Sequence, residues 1–258
     1  MLVGTPDRLG TALTKKGYLA LNKDVLNLDH CGGPYDLTEA NRETGYHPWP
    51  GTLAEQAVIA FFKANPTRIA GKRLLHLGIG NSSIFRAVGD HVSKFVGLTV
   101  CLPEKIHFEQ TFGHPAHAEI HFASKHDPRN YDKIVGPFDV IVDVNLKSFA
   151  CCEQHFQDMM ALYVDHLAPD GVIITAATGL RFGWSTAKRL ANTPGVSVGE
   201  AARSWRILGE QGVQQLGERY GLALEKHAVR GVAHWHGQFD LSGEPDIADE
   251  SLWLLRKG

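Results

Sequence analysis

From residue 73 onward the chain alternates two patterns. Short, nearly continuous apolar runs are followed by stretches in which apolar positions recur every three or four residues. The first pattern fits strands covered on both faces, the second helices with one buried stripe. "RLLHLGI" (73–79), "KFVGLTV" (94–100), "HAEIHFA" (117–123) and "FDVIVDV" (138–144) read as four strands. The fifth follows the turn that opens "APDGVIITA" (168–176). Helices are expected at "SSIFRAVGDHV", at "PEKIHFEQTF" with proline in its first turn, and at "CEQHFQDMMALYVDHL". The last of these puts Phe156, Met159, Met160, Tyr163 and Leu167 at helical spacing as core candidates. Strands that alternate with helices imply parallel pairing and right-handed crossovers. After "SWRILGEQGVQQLGERYGLALEKHAVRG", a helix running into a strand, "VAHWHGQFDLSGEPDIADE" reads as a long loop and "SLWLLRK" (251–257) as a closing strand.

The part before residue 73 is different. "LDHCGGPYDLTEANRETGYHPWPG" is punctuated by glycine and proline too often for long regular elements. A clear helix follows, "TLAEQAVIAFFKAN", with Thr52 as its cap, Glu55 completing a capping box, and Pro66 soon after its end. The division expected is a cap over residues 1–50 and a larger α/β domain over 51–258.

Composition narrows the class. Hydrophobic residues make up 43% of the 258, and the formal net charge is −2, so nothing suggests a surface built to neutralise nucleic-acid phosphates. No run approaches the roughly 18 apolar residues of a membrane span, and the N-terminus lacks a charged-then-apolar signal pattern. A cytoplasmic protein with a small-molecule substrate, no nucleic acid and no membrane partner is expected; a homodimer is compatible with it. Cys31, Cys101, Cys151 and Cys152 form no CxxC pair and read as reduced thiols. The close histidine pairs His114/His117 and His234/His236 lack the partners of a metal site, so no metal is expected; His234 and His236 stand as alternative general bases.

The chemistry is expected at "RLLHLGIGNSSIFRAVG" (73–89), where a strand delivers Gly78 and Gly80 to a helix start. Glycines there let a ligand approach bare main chain, and backbone N–H groups collect at the open end of the sheet. A dinucleotide fingerprint needs a third glycine and an acid about twenty residues on. Ser83 and Thr99 stand in those places, which argues against a nicotinamide or flavin site.

"LLHLGIGNSS", "FVGLTV", "GPFDVIVDV", "LAPDGVIIT" and "SLWLLRK" together resemble the class I S-adenosylmethionine (SAM)-dependent methyltransferase family over roughly residues 50–258. The resemblance implies a doubly wound, mostly parallel sheet of seven strands in the order 3-2-1-4-5-7-6, the seventh antiparallel, with SAM as cofactor. The chain departs from the family's best-known pattern at His76, Ser82 and Thr99, which stand for an acid, a third glycine and the ribose-binding acid. Thr99 still offers a hydroxyl, and Glu104 lies about a turn away.

By this resemblance the cofactor lies on Gly78, Ile79, Gly80, Asn81 and Ser82, with Thr99 at the ribose, Asp127 at the adenine amino group and Asn145 near the methionine end. Asn145 and Asp143, at the end of the fourth strand, are candidates for holding the acceptor and taking its proton. Both also fit a turn-forming Asx pair. Tyr35 is the third catalytic candidate, one of several aromatics (Tyr18, Tyr46, Trp49, Trp235) suited to a sulfonium. The basic set Arg181 to Arg189 can face an acidic substrate or solvent. Three activities fit: methyl transfer to a small molecule; transfer or cyclisation of the aminobutyrate arm with release of methylthioadenosine, as in azetidine-2-carboxylate synthesis; and a non-catalytic SAM-binding or partner subunit.

Overall fold

The computed structural model describes residues 51–99, 101–147, 153–180, 208–234 and 245–258. Its first element is helix α1 (Leu53–Ala64), and the expected capping box is formed: the Thr52 hydroxyl accepts from the Glu55 N–H, and the Glu55 carboxylate accepts from the Thr52 N–H. Then come β1 (Arg73–Leu77), α2 (Ser83–Val88), β2 (Lys94–Thr99), α3 (Leu102–Phe112), β3 (Ala118–Phe122) and β4 (Phe138–Val142). They are followed by α4 (Glu153–Asp165), β5 (Leu167–Ala176), the single turn α5 (Ala177–Leu180), α6 (Glu210–Tyr220), β6 (Leu222–His234) and β7 (Asp246–Lys257).

The seven strands form one sheet in the order β3-β2-β1-β4-β5-β7-β6. β1 to β5 pair in parallel, and β7 runs antiparallel between β5 and β6. This is the order expected from the family resemblance. Strict alternation of side chains along the strands divides the core in two. On one face Leu74, Phe95, Val140, Val142, Ile174, Leu252 and Leu254 meet Ala57, Val58, Phe61 and Phe62 of α1 and Ile84 and Phe85 of α2. On the other, Leu75, Val96, Leu98, Ile141, Ile173 and Leu255 meet Phe156, Met159, Met160 and Tyr163 of α4 and Val213 and Leu216 of α6. With both faces covered, the strands need apolar residues at nearly every position, which is why they were conspicuous in the sequence.

Two expectations shift. β6 and β7 reach well into the stretch read as a long loop, pairing from Leu222↔Lys257 to His234↔Asp246 with an irregularity around Gly231. The polar residues Asp246, Asp249 and Glu250 gave that extension the look of a loop; it pairs as strand although much of it is exposed. The "APDG" turn also lies inside β5, as a register shift between Phe138↔Leu167 and Val140↔Val172. Cys101 is a buried free thiol. Among the described residues no helix is long and apolar enough to cross a membrane. The cap over residues 1–50, with Tyr18, Tyr35, Tyr46 and Trp49, lies outside the described residues, as do Trp235, His236 and Arg181 to Arg189.

Candidate active site at the carboxyl ends of the strands

The sheet order reverses between β1 and β4, so the loops after these strands diverge and leave a crevice at their carboxyl ends. The turn after β1 is built as the glycines suggested. Gly78 and Gly80 have φ of 73° and 53°, in the left-handed region that suits glycine, and a side chain at Gly78 would meet nothing within 4 Å. Ser82 holds the same left-handed conformation, φ 63° and ψ 27°, without being glycine. The Ile79 side chain is buried in the core, so only its main chain can meet a ligand. A ring cluster braces the turn from below: Phe85 lies 4.8 Å from Phe95, 4.7 Å from Phe108 and 5.0 Å from Phe112, locking α2, β2 and α3 together.

The N–H groups of the turn are mostly engaged already, contrary to the open donors expected. Those of Gly78 and Ile79 reach the Leu98 carbonyl, that of Ser82 the Ile79 carbonyl, and that of Ser83 the Asn81 side chain. The Gly80 N–H donates to the carboxylate of Glu104. The turn is therefore a surface of glycine Cα atoms rimmed by a carboxylate, not a cradle of free donors for a phosphate.

Glu104 is the residue that spacing alone did not place. The Thr99 hydroxyl donates to it and accepts from the Cys101 N–H at 2.9 Å. The first turn of α3 thus brings an acid to the end of β2, where Thr99 had left the position without one. Burial pushes the Glu104 carboxyl up to about 7, and the charge of nearby Glu55 adds to this, while the bonds from Thr99 and Gly80 oppose it. Glu55 comes from α1. Its carboxylate takes the Thr52 N–H at 2.7 Å and the Ser83 hydroxyl at 3.4 Å, and burial raises its pKa too. The sequence showed Glu55 only as a helix cap. Among the described residues two more groups near the turn lack hydrogen-bond partners: the Ser82 hydroxyl and both ring nitrogens of His76. His76 is fully enclosed, and burial lowers its pKa to about 3, so it is neutral.

The end of β4 forms a second, self-contained network. Asp143 takes Lys125 Nζ at 2.7 and 3.0 Å and the Tyr163 hydroxyl at 2.8 Å. Lys125 also donates to the carbonyls of Asn145 and Leu146, at 2.8 and 3.1 Å. The Tyr131 hydroxyl donates to the Lys125 carbonyl at 2.9 Å. Burial lowers the Lys125 pKa, and Asp143 opposes that. The Asn145 N–H closes an Asx turn onto Asp143 at 3.2 Å. Both Asp143 oxygens are thus occupied, and the residue shapes the loop that carries Asn145. Lys125 gave no sequence signal, because "SKHDPR" reads as a solvated turn.

Asn145 is partly buried, and Gly179 of α5 packs on it so closely that a Cβ there would lie 3.0 Å from its Oδ1. Asp127, after β3, caps the short 3-10 helix Pro128–Lys133 and is held by Arg129 at 2.6 Å, which lowers its pKa. His234, at the end of β6, is buried rather than in an open loop. So the structure joins Gly80, Thr99 and Glu104 directly, joins Asp143 and Asn145 through Lys125, and gives Asp127 its own ion pair.

No protein-family model matches the chain, and no curated protein matches it by sequence. Solved structures do. The N-methyltransferase NodS from Bradyrhizobium japonicum WM9 is similar at 14% identity, over 78% of this chain and 92% of that one, with a TM-score of 0.51. Magnesium protoporphyrin IX methyltransferase (ChlM) from Synechocystis PCC 6803, solved with bound S-adenosylhomocysteine (SAH), is similar at 10% identity, over 79% and 82%, with a TM-score of 0.50. At such identities the likeness is one of architecture, and by strand order and shape this chain has the fold of the SAM-dependent methyltransferases.

Proposed function

We propose that the chain is a SAM-dependent methyltransferase acting on a small molecule. The observation that carries this reading is the Gly80–Thr99–Glu104 arrangement. It supplies oxygen acceptors for a ribose diol at the end of β2, beside a glycine surface open to close approach. The fold likeness and the sequence resemblance support it, and the engaged N–H groups of the turn speak against a phosphate-bearing ligand.

SAM, when bound, supplies an electrophilic methyl on a sulfonium, so the protein's work is to position and to exclude water. Orientation of two reactants contributes on the order of 7–11 kcal/mol in favourable models, and a dedicated base is optional. In this reading Gly78 to Ser82 provide the main-chain ledge and Glu104, oriented by Thr99, holds the ribose hydroxyls. Asp127 sits at the adenine end, and Asn145 offers its amide to the acceptor. Asp143, saturated by Lys125 and Tyr163, is a positioning residue for Asn145 rather than the base.

Calorimetric titration with SAM tests this reading, with Gly80→Val as its control. Wild type is expected to bind and the variant to lose binding, since a branched side chain blocks the ledge. Wild type that ignores SAM, or a folded Gly80→Val protein that binds it equally well, sinks the assignment. Products read by mass then decide the transfer: SAH for methyl transfer, methylthioadenosine for use of the aminobutyrate arm.

A further inference from the structure

We propose that Glu55 and Glu104 make the turn selective for positive charge, so that it holds SAM, a sulfonium, in preference to SAH, its neutral thioether product. This rests on the donor reading above. Two carboxylates from different helices reach one short turn. Glu55 arrives from α1 through the Ser83 hydroxyl, and Glu104 from α3 through the Gly80 N–H and the Thr99 hydroxyl. Between these two contacts on the chain stands Ser82, whose hydroxyl is buried and, among the described residues, unpartnered; near the end of β1 stands His76, fully buried, with neither ring nitrogen bonded among those residues. Buried polar atoms without partners mark a place where a ligand or water completes the bonding.

No described cation is bonded to either carboxylate. On the elements packed around them, Lys105 pairs with Glu109, the Arg86 guanidinium lies over the Phe112 ring, and Glu119 and His121 of β3 pair with Lys94 and with each other. His107, on the same helix as Glu104, has its pKa lowered by burial and by Arg86. His76 is neutral and offers no charge. Of the buried cations at the strand ends, Lys125 is held by Asp143 and Lys147 lies over the Phe156 ring. The turn's own N–H groups do not compensate either, beyond the single bond from Gly80 to Glu104. Two carboxyls brought to one turn, Glu55 buried and Glu104 partly buried, repel each other and favour a proton until another positive charge arrives. A sulfonium brings that charge. Once the methyl has left, the thioether does not, and the product is released from a site that no longer gains from holding it.

The test is calorimetry of the full chain with SAM and with SAH at about pH 6 and about pH 8, on either side of the Glu104 titration. SAM is expected to bind roughly tenfold tighter at the higher pH, the factor equivalent to one unit of pKa coupling, with release of a proton seen as a buffer-dependent heat. SAH, which shares the ribose but not the charge, is expected to gain less, so the SAM/SAH preference grows with pH. Glu104→Gln is expected to flatten the pH dependence and shrink the preference. If that variant fails to fold, the wild-type pH series decides alone. Equal affinity for SAM and SAH at both pH values overturns the selectivity and leaves the donor reading standing. Binding of neither overturns both.

Discussion

Lys125 Nζ lies 2.7 Å from one oxygen of Asp143 and 3.0 Å from the other, both residues buried at the carboxyl end of the sheet. The pair ties the loop after β3 to the loop after β4, and the same ammonium fixes the Asn145 and Leu146 carbonyls. Removing one partner strands a buried charge. Lys125→Met is therefore expected to cost about 3–5 kcal/mol in denaturant unfolding. The double variant Lys125→Met/Asp143→Leu should lose clearly less than the sum of the two single losses. Additive losses would show that the two charges do not depend on each other.

Ser82 has a backbone conformation that costs a residue with a Cβ roughly 1–2 kcal/mol, and its hydroxyl is buried without a partner. Ser82→Gly should raise stability by about 1 kcal/mol after the extra entropy of glycine in the unfolded chain is counted. If the proposed ledge holds SAM, it should also weaken SAM binding several-fold, because the ligand would lose that hydroxyl. A variant that is less stable would show that Ser82 is held by contacts other than those described.

Glu104 links stability to pH with a definite sign. Its carboxyl is raised from the ordinary range to about 7 in the folded protein, so between those values the folded state holds a proton that the unfolded state has lost. Its contribution is complete below the unfolded value and disappears as pH rises through about 7. Asp127, Glu119 and Asp249, whose pKa values are lowered, act in the opposite sense at lower pH. The measurement is thus the difference between wild type and Glu104→Gln in thermal melts from about pH 5 to about pH 8. Wild type should lose stability relative to the variant as pH rises.

Gly179 marks how closely the loop after β4 and helix α5 approach. A Cβ there would sit 1.5 Å from the Val144 carbonyl oxygen. Gly179→Ala should displace residues 144–145, cost about 1–3 kcal/mol, and, with Asn145 on the acceptor side as proposed, reduce turnover more than SAM affinity. Unchanged turnover would remove Asn145 from the site.

The sequence by itself determined the layered sheet. Runs such as "RLLHLGI" and "FDVIVDV" are apolar at almost every position because both faces are covered, and that signal is local. The same holds for Thr52 and Glu55 as a capping box, for Met159, Met160 and Tyr163 as core, and for the left-handed glycines of the first turn, each set by a few neighbouring residues. Tertiary structure alone decided which charges meet. Lys125 and Asp143 are 18 positions apart. Glu104 reaches the glycine turn only because α3 folds back over the end of β2, and Glu55 only because α1 packs beside α2. The far half of the β6–β7 hairpin was likewise hidden, since its exposed positions read as loop until the partner strand is in place. Desolvation and Coulomb energies depend on distances in space that no local spacing encodes, so the carboxyl pair and the buried ion pair became visible only in the folded chain.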